Sequence, residues 1–141
     1  MPVLGIGVDI LHVPRIAAVL KRTYGSRLPR RILSPSEHVQ WDALNDSGAS
    51  SEAQLKFLAV RWCVKEAAYK AIYPHAIPQW KELTYTSLAA GVKPQLEYTP
   101  LDSKQKGRFD HIHVSVSHDG EYVLSQVLVE GRSSLFLSKL Y

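Results

Sequence analysis

Three side chains with the chemistry of a catalytic site lie on two segments that are far apart in the sequence. Glu66 and Lys70 stand one helical turn apart within residues 54–72, an amphipathic stretch. Pairs of this spacing are common on exposed helix surfaces, where they stabilise a helix by only about 0.2–0.5 kcal/mol. Asp9 lies near the end of the apolar run 3–10, and a carboxylate at the end of a buried strand is costly unless it is paired or bound to a cation. We therefore expect Asp9 either to have such a partner or to cap the helix that follows.

Residues 54–72 are predicted to form one long helix that packs on a sheet. At 100° per residue, the apolar residues share one stripe, while Glu66 and Lys70 lie roughly opposite. Gly5 and Gly7 in the run 3–10 predict that another backbone or a ligand approaches this strand closely. The apolar stripe of the helix consists of Phe57, Val60, Val64, Ala67, Ala68 and Ala71.

A β-hairpin is predicted over residues 113–130. Apolar and polar residues alternate there around an Asp-Gly pair, a strong hairpin signal. The alternation places Val114 and Val116 on one face and Ser117 on the other, and His118 enters the turn. A single histidine at such a place is usually an ordinary polar turn residue.

Together these stretches resemble a known family. The matching motifs are GIGVDI at 5–10, FLA at 57–59, RW at 61–62, KEA at 65–67, KA at 70–71, VSVSH at 114–118 and EY at 121–122. In this order and at these separations the set resembles the phosphopantetheinyl transferases of the holo-acyl-carrier-protein synthase type. Members of this family move 4'-phosphopantetheine from coenzyme A to a serine of an acyl carrier protein. The resemblance runs from about Val3 to Glu130, and the Pro-containing loop 73–81 looks more like eukaryotic, mitochondrial-type members.

The resemblance implies a fold and a set of roles. The fold is α+β, with an antiparallel sheet packed against one long central helix and shorter helices around it. Asp9 and Glu66 would hold Mg²⁺ against the coenzyme A pyrophosphate, which agrees with the preference of Mg²⁺ for oxygen ligands. Lys70 would stabilise the departing adenosine 3',5'-bisphosphate, and Glu66, directly or through a metal-bound water, would be the base. The residues expected to contact coenzyme A are Arg61, Lys70, Ser117 and His118.

Residues 10–36 contain six Lys or Arg residues and no acidic residue. The plainest interpretation is a solvated cationic surface, and the sequence pI of about 9.2 also fits a basic module that binds RNA or acidic proteins without catalysis. The resemblance instead implies a docking site for an acidic helix of the carrier protein, with binding that weakens as salt rises. The residues predicted to bind this partner are Arg15, Arg22, Arg27 and Arg31.

The chain of 141 residues is expected to be one domain, 1–141. Its single cysteine, Cys63, excludes an internal disulfide and favours a reducing compartment, either cytoplasm or mitochondrial matrix. No apolar run approaches the ~20 residues of a membrane span. The resemblance implies a homotrimer with active sites between neighbouring subunits, although the altered loop and the tail 131–141 leave a monomer open. An inactive relative with the same fold is a further alternative, but the intact acidic and basic motif residues argue against it.

The other elements follow from local signals. Pro14 is predicted to open a helix that Gly25 ends, and Ser34 begins a capping box for a helix running to about residue 44. Ser51 and Gln54 are expected to cap the long helix. Strands are predicted at 82–87 and 95–98 with a turn at 91–94, residues 99–110 are expected to form a mobile loop, and Cys63 is expected to be a packing residue.

Overall fold

The computed structural model describes residues 1–87 and 92–132 and consists of strands and helices arranged around one long helix. The helices are α1 (Val13–Leu20), α2 (Leu28–Ile32), α3 (Pro35–Asp46) and α4 (Ser51–Ile72). The strands are β1 (Val3–His12), β2 (Leu83–Thr86), β3 (Gln95–Tyr98), β4 (Phe109–Asp119) and β5 (Tyr122–Gly131). Short 3₁₀ turns lie at Gly25–Arg27, Trp80–Glu82 and Ser103–Gln105. The predicted tail beyond residue 132 and part of the predicted turn at 91–94 lie outside the described residues.

The main sheet is antiparallel, with the strand order β1-β5-β4, and β2 pairs with β3 in a separate two-stranded sheet. Helix α4 packs against β1 and β5. This is the predicted α+β arrangement. The predicted hairpin is present as β4 and β5, and Gly120, with a φ of +53°, forms the turn between them. His118 does not enter the turn, because it is still paired with Val123 in the ladder.

Strand β1 crosses α4 at backbone contact distance, so of the two alternatives predicted from the glycines, a backbone or a ligand, the backbone is the one observed. A Cβ atom on Gly7 would lie 1.9 Å from the carbonyl oxygen of Ala67. A Cβ atom on Gly5 would lie 2.1 Å from the carbonyl oxygen of Ala71. Any side chain at either position would therefore push the strand from the helix. This close approach brings the end of β1 beside the polar face of α4.

The apolar stripe of α4 forms the centre of the core, as predicted, although Phe57 is only partly buried. Cys63 is fully buried, and its Sγ lies 3.4 Å from the carbonyl oxygens of Asp9 and Val123. Burial raises the pKa of this thiol to about 11. Cys63 is therefore a packing residue, as expected.

The helix starts confirm one capping prediction and correct another. Ser34 and Glu37 form the predicted capping box of α3, with the Glu37 side chain accepting a hydrogen bond from the Ser34 amide at 2.8 Å. Helix α4 begins earlier than predicted, because Ser50 is its N-cap and accepts a hydrogen bond from the amide of Ala53 at 3.2 Å. The expectation that Ser51 caps this helix is therefore wrong. Gln54 instead donates to the carbonyl oxygen of Ala49.

The face of the main sheet that α4 does not cover is apolar and exposed. Ile6, Val8 and Ile10 point outward from β1 with exposed fractions of 56%, 48% and 59%. Their cross-strand neighbours on β5 include Leu124, which is also exposed. In the described part of the chain, no helix combines the length and hydrophobicity needed to cross a membrane.

Candidate active site

Strand β1 and helix α4 bring Asp9 and Lys70 into direct contact. Lys70 Nζ donates hydrogen bonds to Asp9 Oδ1 at 3.0 Å and to the carbonyl oxygen of Val8 at 2.9 Å. The Asp9 side chain is 17% exposed and that of Lys70 is 50% exposed, so the pair lies at the protein surface. Asp9 does not cap the following helix, whose N-cap residue is His12. Of the two expectations for Asp9, the cationic partner is the correct one.

Glu66 lies one turn before Lys70 and responds to the charge of Asp9. Its pKa is raised, first because partial burial disfavours the carboxylate and second because the negative charge of Asp9 repels it. The nearby ammonium of Lys70 opposes this effect in part. The structure thus groups two acids and one base from segments more than fifty residues apart in sequence.

The chemistry of this donor set fits Mg²⁺. This ion commonly takes one or two protein carboxylates and completes its octahedron with waters and substrate phosphate oxygens. Asp9 and Glu66 supply one carboxylate each, near enough to each other that the charge of Asp9 raises the pKa of Glu66. A bound cation would also remove the repulsion that raises the pKa of Glu66. Within residues 1–87 and 92–132, no cluster of three or more metal-ligating side chains is found, so the protein ligands available at this site are the two carboxylates.

A cleft that the sequence did not predict opens beside Glu66. Its volume is about 210 Å³. One wall is α4 and the other is the segment that leads into β2. The lining residues are Lys65, Glu66, Tyr69, Pro78, Trp80 and Leu83. Tyr69 could have been suspected, since it shares the polar face of α4 with Glu66, but nothing local in the sequence marks residues 78–83 as the facing wall.

The wall of this cleft is fixed by a buried ion pair that the sequence also did not predict. Lys65 is 2% exposed, and its Nζ donates to Glu37 Oε2 at 2.6 Å, to the carbonyl oxygen of Ile32 at 2.6 Å and to that of Trp80 at 2.9 Å. Burial lowers the pKa of Lys65, and Glu37 opposes that shift. Glu37 is fully buried and also accepts a hydrogen bond from the amide of Tyr85. One charged pair therefore joins α2, α3, α4 and β2.

Arg61 has surroundings that argue against the predicted contact with coenzyme A. Its side chain is 5% exposed, its Cζ lies 3.3 Å from the centroid of the Phe57 ring, and it donates to Gln40 Oε1 at 3.0 Å. Its Nε is 3.7 Å from Glu37 Oε1. Burial lowers the pKa of Arg61 to about 10. The structure thus uses this guanidinium inside the α3–α4 packing and does not present it beside Asp9 and Glu66.

Ser117 and His118 lie on β4, the opposite edge of the main sheet from Asp9. Strand β5 separates the two edges, and two strand spacings amount to roughly 10 Å. The pKa of His118 is lowered, mainly by partial burial and also by the positive charge of Lys56 near the start of α4. A single chain therefore does not bring Ser117 and His118 to the Asp9–Glu66 pair.

The basic residues predicted to bind a partner are exposed on and after α1. Arg27 lies over the ring of Tyr24, with Cζ 4.8 Å from the ring centroid. Among the described residues, no ion pair involves any of the four arginines that are predicted to bind a partner. Each of the four residues of the predicted group is exposed to solvent: Arg15, Arg22, Arg27 and Arg31.

Comparison with known proteins identifies the family of this chain. A family model described as the 4'-phosphopantetheinyl transferase superfamily matches residues 5–127. A holo-[acyl-carrier-protein] synthase of Bacillus pumilus is 38% identical, with 92% of this chain and 98% of the relative covered. A mitochondrial holo-[acyl-carrier-protein] synthase of Candida glabrata is 35% identical, with 89% and 93% covered. The crystal structure of the Neisseria meningitidis synthase superposes with a TM-score of 0.74 at 26% identity, covering 92% of this chain and 99% of that one. The chain therefore belongs to the 4'-phosphopantetheinyl transferase superfamily, with relatives of the holo-acyl-carrier-protein synthase type.

Proposed function

We propose that this chain transfers 4'-phosphopantetheine from coenzyme A to a serine of an apo acyl carrier protein, in a reaction that depends on Mg²⁺. The products are the holo carrier protein and adenosine 3',5'-bisphosphate. The observation that carries the proposal is the grouping of Asp9, Glu66 and Lys70 by β1 and α4, in a chain whose relatives are synthases of this kind.

Asp9 and Glu66 are the residues proposed to hold Mg²⁺, which would supply charge neutralisation at the pyrophosphate. The carrier serine oxygen forms a bond to the phosphorus that bears the pantetheine arm, and the bond from that phosphorus to the bridging oxygen breaks. The electron pair leaves with adenosine 3',5'-bisphosphate. Lys70 stabilises the charge that develops on this leaving group. Glu66 takes the serine proton directly or through a metal-bound water.

We further propose that the active site is completed by a neighbouring copy in a homotrimer. Ser117 and His118 are too far from Asp9 to join it within one chain, whereas another copy could bring its own β4 edge. The exposed apolar sheet face, with Ile6 and Ile10 more than half exposed, offers a surface for such an assembly. A monomer is the alternative, and light scattering during size-exclusion chromatography separates the two.

The exposed arginines Arg15, Arg22, Arg27 and Arg31 are the proposed docking surface for the acidic carrier protein. Opposite charges would speed the encounter and orient the carrier serine towards Glu66. We also propose that residues 1–141 form a single functional unit and that the protein works in the cytoplasm or the mitochondrial matrix. A basic binding module without catalysis is not favoured, because it leaves the acidic pair unexplained and the relatives are enzymes.

The test is intact-mass spectrometry of apo carrier proteins incubated with this chain, coenzyme A and Mg²⁺. The expected result is a mass gain of one phosphopantetheine on the carrier. Glu66→Gln should abolish the gain, while Glu52→Gln, which removes an acid from the exposed first turn of the same helix, should retain it. No gain across bacterial and mitochondrial carriers, or full activity of Glu66→Gln, would contradict the proposal.

A further inference from the structure

We propose that Lys70 makes the binding of Mg²⁺ conditional on coenzyme A. In this proposal the Lys70 ammonium bonds to Asp9, transfers to a phosphate of coenzyme A when that ligand binds, and leaves the Asp9 carboxylate to Mg²⁺. The inference rests on the proposed function, since it needs Mg²⁺ and coenzyme A to share the site formed by Asp9 and Glu66. It goes beyond that function because it gives Lys70 control over the order in which the two ligands bind.

The first argument is the contact between the ammonium and the carboxylate. Lys70 Nζ donates to Asp9 Oδ1 at 3.0 Å and to the carbonyl oxygen of Val8 at 2.9 Å, so a positive charge already engages this carboxylate. Mg²⁺ binds carboxylate oxygens at about 2.0–2.1 Å, and an ion on the same oxygen would therefore stand within roughly 5 Å of the ammonium. A unit charge and a divalent cation at that separation repel each other even in water. Lys70 and Mg²⁺ thus compete for Asp9.

The second argument is the charge balance of the site. Two acids, Asp9 and Glu66, and one base, Lys70, act on one another there. Their formal charges leave one negative charge, and a divalent cation would turn this into an excess of one positive charge. The pyrophosphate of coenzyme A brings negative oxygens that remove this excess. Mg²⁺ should therefore bind weakly by itself and more tightly together with coenzyme A.

The third argument is that Lys70 is free to change its partner. Its side chain is 50% exposed, so the ammonium can turn towards a ligand at the surface without disturbing the core. The neighbouring base Lys65 cannot do this, because it is buried and its Nζ is bonded to Glu37 and to two backbone carbonyl oxygens. The exchange between carboxylate and phosphate therefore falls to Lys70.

The experiment is a titration with Mn²⁺, followed by electron paramagnetic resonance, with and without coenzyme A. Mn²⁺ shares the preference of Mg²⁺ for carboxylate and water oxygens. Without coenzyme A and at low salt, Lys70→Met should bind Mn²⁺ about tenfold more tightly than the wild type, the effect of removing one repelling charge at roughly 5 Å. With coenzyme A this difference should nearly disappear, because phosphate oxygens then neutralise the lysine of the wild type.

A second measurement follows from the reciprocity of coupled binding. The factor by which coenzyme A tightens metal binding must equal the factor by which the metal tightens coenzyme A binding. Calorimetric titration of coenzyme A with and without Mg²⁺ should therefore show a coupling about tenfold smaller in Lys70→Met than in the wild type.

Two control variants separate the charge of Lys70 from its other properties. Lys70→Arg keeps the charge and should bind Mn²⁺ like the wild type when coenzyme A is absent. Lys56→Met removes an exposed lysine from the same helix, about 21 Å away at 1.5 Å per residue, and should leave Mn²⁺ binding unchanged. Circular dichroism confirms that each variant is folded.

The inference is overturned if Lys70→Met binds Mn²⁺ no more tightly than the wild type in the absence of coenzyme A. It is also overturned if the tightening is equal with and without coenzyme A, because Lys70 would then be a fixed charge that does not change partners. Failure of the proposed function gives a different pattern. The wild type would then bind no Mn²⁺ even with coenzyme A and would leave every carrier protein unmodified.

Discussion

Replacing Gly7 by alanine should separate the two halves of the active site. The new Cβ would stand 1.9 Å from the carbonyl oxygen of Ala67 and 2.8 Å from the amide nitrogen of Ala71. Ordinary contact begins near 3.4 Å, so β1 and α4 must part by about 1.5 Å. Both partners are backbone, and no side chain can rotate to relieve the clash. Because Asp9 is on β1 and Glu66 on α4, the same displacement pulls the acidic pair apart.

The magnitudes follow from this displacement. Overpacking usually lowers the free energy of unfolding by about 1–3 kcal/mol, and a backbone clash belongs at the upper end. Misplacing a catalytic group by about 1 Å can lower turnover by about 100-fold. Urea denaturation gives the first quantity, and carrier mass spectrometry at matched concentrations of folded protein gives the second.

Gly48→Asn is the matched control for Gly7→Ala. Gly48 has a φ of +71°, a Cβ added to it would meet nothing within 4 Å, and asparagine tolerates this conformation better than most residues. The control should lose about 1 kcal/mol or less and keep full turnover. If Gly7→Ala keeps wild-type stability and turnover, the reasoning that close strand–helix contact aligns the site is refuted.

Three further predictions concern charged residues. The pKa of Glu66 is raised in the folded protein, so its stabilising contribution is complete below the pKa of an ordinary glutamate and is lost as the pH rises through its own pKa. Glu66→Gln should therefore raise the melting temperature of the Mg²⁺-free protein at neutral pH. An unchanged or lower melting temperature would count against the raised pKa. Lys65→Met should lower the free energy of unfolding, measured in urea, by about 3–5 kcal/mol, because it leaves Glu37 buried without its main partner. Adding Glu37→Gln should recover part of that loss. If the effects of the two substitutions on the free energy of unfolding simply add, the two residues are not coupled. Arg22→Glu should raise the KM for the carrier protein at low salt, and this increase in KM should become smaller as the salt concentration rises. Coenzyme A binding measured by calorimetry should not change. An increase in KM that does not depend on salt would argue against an electrostatic docking surface.

Local patterns predicted the parts of the fold that depend on local rules. The two glycines of β1 indicated a backbone contact, the Ser34–Glu37 spacing indicated a capping box, and the alternation around Gly120 indicated the hairpin. The spacing of Glu66 and Lys70 predicted that both lie on one face of the helix. The order of the family motifs predicted that Asp9 belongs to the same site. These features can be inferred from residues that are neighbours along the chain.

The features that were missed depend on contacts between distant residues. Lys65 resembles a surface lysine until the folded chain places Glu37 and the carbonyl of Trp80 around it. Arg61 carries a family motif, yet the structure places it against Gln40 and Glu37 of α3, which are more than twenty residues away in the sequence. The separation of His118 from the acidic pair follows from strand order, which the sequence does not state.

The most direct test of the account is whether Mg²⁺ and coenzyme A bind together through Asp9 and Glu66. Calorimetric titration of coenzyme A should show stronger binding to the wild type with Mg²⁺ than without it. Asp9→Asn and Glu66→Gln should lose this Mg²⁺ effect, while Glu52→Gln should keep it. If Mg²⁺ strengthens coenzyme A binding equally in all four proteins, the two acids do not share the ion and the central claim is contradicted.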